Sequence, residues 1–278
     1  MEWLLLCTNR KLPMGLIEAI ILAIVEGLTE YIPVSSTGHM IIASSAMGIE
    51  SEPFVKLFTV CIQLGAIMAV LALYWKRFFV SLGFYYKIFV AFIPAVIFGL
   101  LFKKYIDALL EDVVVVAFSL IIGGIILVFI DKIFNNGQKD SVESTTYKNA
   151  LVIGIFQTIS MIPGVSRSAA TIVGGMSQGL TRKVAAEFSF FLAVPTMFAA
   201  TVKSLYDYFN DGGVVSSEQW KLFAIGNIVA FVVAIIAIRF MIGILTKYGF
   251  KYFGYYRILA GTVILVLYFS NVSLSIID

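Results

Sequence analysis

The chain is poor in the residues that catalysis and cross-linking use most. It holds one histidine and two cysteines in 278 residues. Cys7 and Cys61 stand in no metal-binding or redox spacing, so they read as unpaired thiols. Charge is scarce as well. Asp, Glu, Lys and Arg make up 13% of the chain, about half the share of a soluble domain. The net charge of +3 is too small to point to nucleic acid. The start lacks the layout of a cleavable signal peptide, because Leu4-Leu5-Leu6 is short and follows no basic residue. Bulky Leu6 before Cys7 argues against a lipoprotein site. The segment before Met14 is expected to be a tail or a translation-start artefact.

Apolar residues are plentiful, at 60% of the chain with a mean hydropathy of +0.97. One soluble core of this length cannot hide them, so the bilayer must be the solvent. An all-α integral membrane protein follows, because only segments that satisfy their own backbone can cross a bilayer. Six runs are long enough to span: roughly 54–75, 85–102, 113–131, 184–206, 220–245 and 255–273. Two further apolar regions, about 14–49 and 148–181, are interrupted by Pro, Ser and Gly at Ile32-Pro33-Val34-Ser35-Ser36 and Ile162-Pro163-Gly164-Val165-Ser166. Half of either region makes a helix of only ~22 Å, too short for a ~30 Å hydrocarbon core. Each is expected to be a re-entrant helix–loop–helix hairpin.

The interrupted regions resemble each other, and so do the spans after them (Leu57-Phe58-Thr59-Val60 and Glu187-Phe188-Ser189-Phe190). The expected plan is one membrane domain made of two inverted repeats, about 14–131 and 148–273, joined by a polar linker at about 132–147. Broken segments in inverted halves point to a shared site near the midplane. Lys and Arg in the loops set the orientation. Eleven lie on one side, from Lys76 to Arg257, and seven on the other, including Arg10, Lys11 and Lys103. The first side is expected to be cytoplasmic, with the first hairpin entering from outside and the second from the cytoplasm.

Ionisable groups at membrane depth cost about 2.5–3.5 kcal/mol each, so a cluster of them marks a working site. Glu26 and Glu30 share one helix face by their i, i+4 spacing and suit a hard divalent cation, Mg²⁺ or Ca²⁺. Ser35, Ser36 and Thr37 head a restarted helix, where free N–H groups attract phosphate. His39, the sole histidine, lies three residues beyond Ser36, so its ring could reach that hydroxyl. Arg167 sits at the second break between Ser166 and Ser168, a grouping suited to bidentate phosphate binding or to a pair with Glu26, Glu30 or Glu187. Glu187 is a weaker candidate, readable as a helix-end charge. Together these residues form a phosphoryl-transfer set, and membrane depth implies a phosphate carried on a lipid.

At these positions the chain resembles the undecaprenyl-diphosphate phosphatases of the bacitracin-resistance type. The likeness runs through Glu26-Gly-Leu-Thr-Glu30, Pro33-Val-Ser-Ser-Thr-Gly-His39, Gln63-Leu-Gly65, Pro163-Gly-Val-Ser-Arg167-Ser and Glu187-Phe-Ser-Phe-Phe-Leu-Ala-Val-Pro195. Ala169 departs from it, where many relatives carry glycine. The resemblance implies hydrolysis of the terminal phosphate of a C55 polyprenyl diphosphate, recycling the carrier of cell-wall glycans. It further implies a site open to the outer face of the cytoplasmic membrane and a divalent cation. It assigns function to Glu26, Glu30, Ser36, His39, Ser166, Arg167 and, more weakly, Thr171. The expected chemistry has Ser36 attacking in line, His39 as base, Arg167 and Ser166 holding the phosphoryl group, and Glu30 with Glu26 placing the cation. Attack by His39 or by water is the rival route. A lipid-phosphate flippase using the same midplane charges is the alternative from another class. Glycine-rich spans permit a homodimer.

Overall fold

A computed structural model of the protein describes residues 14–79, 82–109, 112–134, 137–272 and 274. Cys7, Arg10, Lys11 and the rest of the segment before Met14 lie outside the described residues, as does the Lys103 side chain. The described chain folds as helices: α1 (Leu16–Thr29), α2 (Ser36–Met47), α3 (Pro53–Leu73), α4 (Leu82–Leu101), α5 (Lys103–Leu109), α6 (Val113–Ile133), α7 (Tyr147–Ile159), α8 (Arg167–Ser177), α9 (Arg182–Asn210), α10 (Ser217–Tyr248) and α11 (Lys251–Phe269). Several begin at a side chain that satisfies an otherwise orphaned N–H. Asp112 Oδ1 accepts from Val114 at the head of α6. Thr146 and Ser216 form reciprocal capping boxes with Asn149 and Gln219.

Six helices are long and apolar enough to cross a membrane: α3, α4, α6, α9, α10 and α11. They fall on the six expected runs, with α10 extended to 32 residues. The interrupted regions form the short pairs α1/α2 and α7/α8. These helices have 14, 12, 13 and 11 residues, and at ~1.5 Å per residue none reaches the ~30 Å of a hydrocarbon core.

The packing is reciprocal. α1 lies along α10 and α7 along α4, α6 pairs with α11, and α3 meets α9 at the centre. Lipid supplies little hydrophobic drive between helices, so close approach at small residues matters. A Cβ at Gly124 of α6 would stand 2.7 Å from Gly254 O, and one at Gly254 of α11 would stand 2.6 Å from Gly124 O. Gly27 plays the same part between α1 and α10, where a Cβ would be 2.8 Å from Ala230 O. The end of α6 is held by Asp131, which accepts from Arg182 Nε and from the Phe250 N–H, each at 2.6 Å. The linker is tied down by the Arg77–Glu143 ion pair at 2.7 Å and by Lys139, which donates to Asn149 and to Gln178 O. Cys61 is a free, buried thiol, as its spacing implied.

One expectation is overturned. Arg257, counted among the cytoplasmic loop charges, lies in the second turn of α11 and is fully buried. The positive bias that orients the chain is correspondingly smaller.

The α6–α11 seam yields a stability prediction. Gly254→Val places a branched side chain against the α6 backbone, and overpacking of this kind costs about 1–3 kcal/mol. The thermal unfolding midpoint of the detergent-solubilised variant should fall measurably below that of the parent. An unchanged midpoint would show that the seam does not depend on backbone contact.

Candidate active site

Both short pairs break at a proline and restart at a serine in an unusual backbone state. Ser35, the residue before α2, has φ 70°, and Ser166, the residue before α8, has φ 72°. A non-glycine residue held there costs of order 1–3 kcal/mol and persists only where its surroundings over-determine it. Gly164, at φ 87°, makes the second turn, which glycine adopts freely.

The two breaks meet. Arg167 Nη2 donates to Glu30 Oε1 at 2.9 Å, and Ser168 Oγ donates to Ile32 O at 3.2 Å. Ser36 Oγ donates to the other carboxylate oxygen, Glu30 Oε2, at 2.8 Å. Glu30, at the end of α1, thus joins the guanidinium of one break to the hydroxyl of the other. Glu30 is buried and Arg167 nearly so, and removing one partner would leave the other's charge largely desolvated. Beside it lies a cavity of about 300 Å³, lined by Glu30, Ser35, Ser36, Thr37, Ser166 and Arg167 from the breaks, with Gln63, Ser160 and Thr196 from α3, the α7 end and α9. That volume is at the lower end of the range for small-ligand sites.

The guanidinium is positioned from behind. Arg167 Nη1 donates to Ser189 O at 2.9 Å, and the Tyr31 ring lies 5.7 Å from Arg167 Cζ. Tyr31 is anchored by its hydroxyl to Ala66 O at 2.9 Å. Arg167 Nε is buried without a protein acceptor, so the group retains an unused donor. Sequence reasoning missed Tyr31 and Ser189 as supports, and nothing in their local sequence marks them.

Several expected site residues stand elsewhere. Thr171 is fully buried; its hydroxyl donates to Arg167 O at 2.9 Å and accepts from Ser189 Oγ at 2.7 Å, so it supports Arg167 from outside the cavity wall. Ser168 is also off the wall and ties one break to the other. His39 does not meet Ser36. Its Nδ1–H donates to Ser35 O at 2.7 Å, the Tyr256 hydroxyl lies 2.7 Å from Nε2, and the two rings stack at 5.4 Å. Because a carbonyl can only accept, Nδ1 carries the proton and Nε2 accepts from Tyr256 in the neutral ring. Glu187 is buried in α9 away from the cavity.

The carboxylates bear on a metal in the same way. Glu26 is buried one turn before Glu30 and does not line the cavity, so among the described residues only Glu30 presents a carboxylate to it. Among the described residues no group of three or more His, Cys, Asp or Glu side chains is placed to hold an ion. This donor set does not fit a closed protein cage. It fits a hard cation that takes one protein carboxylate and completes its shell with phosphate oxygens and water.

Arg257 is the residue sequence reasoning most clearly misplaced. Its Nε donates to Leu120 O (3.3 Å), Nη1 to Pro33 O and Val165 O (3.4 and 2.9 Å), and Nη2 to Ser119 O and Gly164 O (3.1 and 2.9 Å). It grips both breaks from beneath.

These features define a multi-pass membrane protein whose two helix breaks close around a cavity lined by a carboxylate, a guanidinium and several hydroxyls. The family described as bacitracin resistance protein BacA matches residues 19–263, and the chain belongs to that family. It is 62% identical over 256 residues to the undecaprenyl-diphosphatase of Flavobacterium psychrophilum, covering 92% of this chain and 97% of that protein. It is 59% identical over 265 residues to the protein of that name in Flavobacterium johnsoniae, covering 95% of this chain and all of that protein. The corresponding protein of Bdellovibrio bacteriovorus is 54% identical over 268 residues, again covering 95% of this chain and all of its own length.

The division between wall and support is testable by binding. Losing a hydrogen bond to a charged group costs about 1.5–3 kcal/mol, roughly 10- to 150-fold in affinity. Arg167→Ala should therefore weaken pyrophosphate binding by at least the lower figure in titration calorimetry, whereas Thr171→Val should leave it nearly unchanged. Equal losses would place Thr171 on the ligand.

Proposed function

We propose that this protein hydrolyses the terminal phosphate of undecaprenyl diphosphate, releasing undecaprenyl phosphate and inorganic phosphate. The observation that carries this reading is the Glu30 carboxylate shared between Arg167 and Ser36 on the wall of a polar cavity. The relatives' name supplies the substrate. The protein then recycles the lipid carrier of cell-wall glycans in the bacterial cytoplasmic membrane, with its site open to the outer face. In this reading the short pairs are re-entrant hairpins from opposite faces. Repeats 14–131 and 148–273 are inverted about the linker 132–147. The shortness of α1, α2, α7 and α8 and the reciprocal packing of α1 on α10 and α7 on α4 support that arrangement.

The chemistry follows from the contacts. The terminal phosphoryl group takes Arg167, the Ser166 hydroxyl and the free N–H groups heading α2 as partners, where Ser35 and Thr37 stand. A phosphate on Arg167 competes with Glu30 and frees its carboxylate. Ser36 Oγ attacks phosphorus in line while Glu30 takes the hydroxyl proton. The bond from phosphorus to the bridging oxygen breaks, and the electron pair leaves with the lipid monophosphate. Glu30 returns its proton to solvent, takes one from the water that attacks the phosphoserine, and passes it to Ser36 Oγ as the P–Oγ bond breaks and inorganic phosphate leaves. Direct attack by water held on Glu30 is the rival, as is attack by His39 after its ring turns from Ser35. A divalent cation bound to the diphosphate, with Glu30 as its protein ligand, would neutralise phosphate charge.

Detergent-solubilised protein should release phosphate from undecaprenyl diphosphate in Mg²⁺ or Ca²⁺ and stop on chelation. Glu30→Ala and Arg167→Ala should each lower kcat by roughly 10²–10³-fold, the usual loss for one transition-state contact. Near-normal activity in either folded variant defeats the site assignment. Lipid binding or transport without phosphate release would favour the flippase reading, which the reciprocal packing alone permits. Acid quench should trap phosphate on Ser36; trapping on His39, or none, favours the respective rival.

His39 has its own test. If its task is to hold the Ser35 carbonyl, His39→Asn, which keeps a donor near Nδ1, should retain much more activity than His39→Ala. Equal losses would assign the imidazole to proton transfer.

A further inference from the structure

We infer that Arg257 is a positioning residue for phosphoryl transfer, holding the second break so that the Ser166 N–H faces the reacting phosphate. The inference rests on the phosphatase reading above.

The geometry is unusual in its completeness. A guanidinium has five N–H donors, and all five here meet backbone carbonyls: Leu120, Pro33, Val165, Ser119 and Gly164. Three of these belong to the two breaks, where carbonyls have no helical partner. Among the described residues none of its bonds goes to a carboxylate, so its charge beneath the two breaks is met by neutral carbonyl dipoles. A buried charge of this kind is expensive unless something compensates it. The opposite charge of a phosphate above the breaks would do so.

The peptide geometry then fixes a donor. In a trans peptide the carbonyl and the following N–H point in opposite directions. Arg257 holds Val165 O, so the Ser166 N–H points away from the guanidinium. Ser166 lines the cavity, and its N–H finds no acceptor among the described residues. Of the N–H groups before it, Val165 is spent on Ile162 O and Val34 on Ile32 O. Ser166 is left with an unused donor, at a positive φ directly after the gripped carbonyls of Gly164 and Val165. Preorganised backbone donors of this type act on the charge that develops in a transition state.

Gly123 gives a clean way to disturb the grip. A Cβ there would meet Arg257 Nη2 and stand 2.9 Å from Cζ, so the guanidinium must shift to admit it. Gly123→Ala should therefore displace the guanidinium while keeping its charge and the fold. Arg257→Lys removes the fork but keeps a cation. Each variant should be purified as a folded monodisperse sample and assayed for phosphate release beside the parent, with inhibition by orthovanadate measured in parallel. The expected result is a fall in kcat of roughly 10²-fold for Arg257→Lys and a smaller fall for Gly123→Ala. KM should change little, and vanadate inhibition should weaken in proportion to kcat. A purely structural role would lower the yield of folded protein but leave its kcat intact, and that result overturns the inference. If Arg257→Lys does not fold, Gly123→Ala decides alone. An active parent with unimpaired variants sinks this inference only, whereas an inactive parent sinks the phosphatase reading and this with it.

Discussion

Two helix breaks inside an apolar fold create a debt of unsatisfied backbone groups, and the arrangement of this protein follows from how those groups find partners. Water is scarce at such depth, and an unpaired buried carbonyl or N–H costs several kcal/mol. Arg257 satisfies three break carbonyls from below, and His39 satisfies a fourth, Ser35 O, from the side. Among the described residues what remains free are N–H groups at the heads of α2 and α8, where Ser35, Ser36 and Ser166 line the cavity. Satisfying the acceptors leaves a surplus of donors, and a surplus of buried donors selects for an anion.

The charges agree with that selection. Glu30 and Arg167 neutralise each other across the breaks, so the resting site can stay buried without substrate. Among the described residues Arg257 has no carboxylate partner. When a phosphate displaces Glu30 from Arg167, the freed carboxylate is already bonded to Ser36. On the proposed mechanism one contact therefore serves as a rest-state lock and as the source of a base. The lock also explains why the hydroxyl and the guanidinium reach the same ligand although 131 positions separate Ser36 from Arg167.

Much of this was legible in the chain. The six spanning helices follow from run length, because lipid enforces ~20 apolar residues per crossing. The breaks follow from Pro33 and Pro163, and their meeting follows from the rarity of charge, since Glu30 and Arg167 have few alternatives at that depth. What was not legible is rotation and depth. Glu26 and Glu30 share a helix face, but one turn separates them along the axis, and the cavity reaches only the second. Ser36 and His39 are three apart, yet α2 begins at Ser36 with a strained preceding residue, and the ring turns back to that residue's carbonyl. Arg257 lies only two turns into its helix, so its position resembles that of a snorkelling loop charge. Only the close approach of α6 at Gly123 reveals the space for it.

On the proposed repeat, matched positions carry unmatched chemistry. Ser35 and Ser166 correspond and share the same strained backbone, so the duplicated element is the break itself, with its donors and its need for buried acceptor partners. The next position is Ser36 in one half and Arg167 in the other, and the position before each proline turn is Glu30 in one and Ser160 in the other. Had both halves kept the carboxylate, two like charges would face each other in a 300 Å³ cavity and repel. Had both kept the arginine, the site would bind phosphate with no base to act on it. Divergence at two positions turns a symmetric anion trap into a heteropolar site with a nucleophile on one side and a charge-stabilising group on the other. Backbone symmetry then supplies binding and side-chain asymmetry supplies reaction, so a substitution that restores symmetry at either position should cost chemistry before it costs fold.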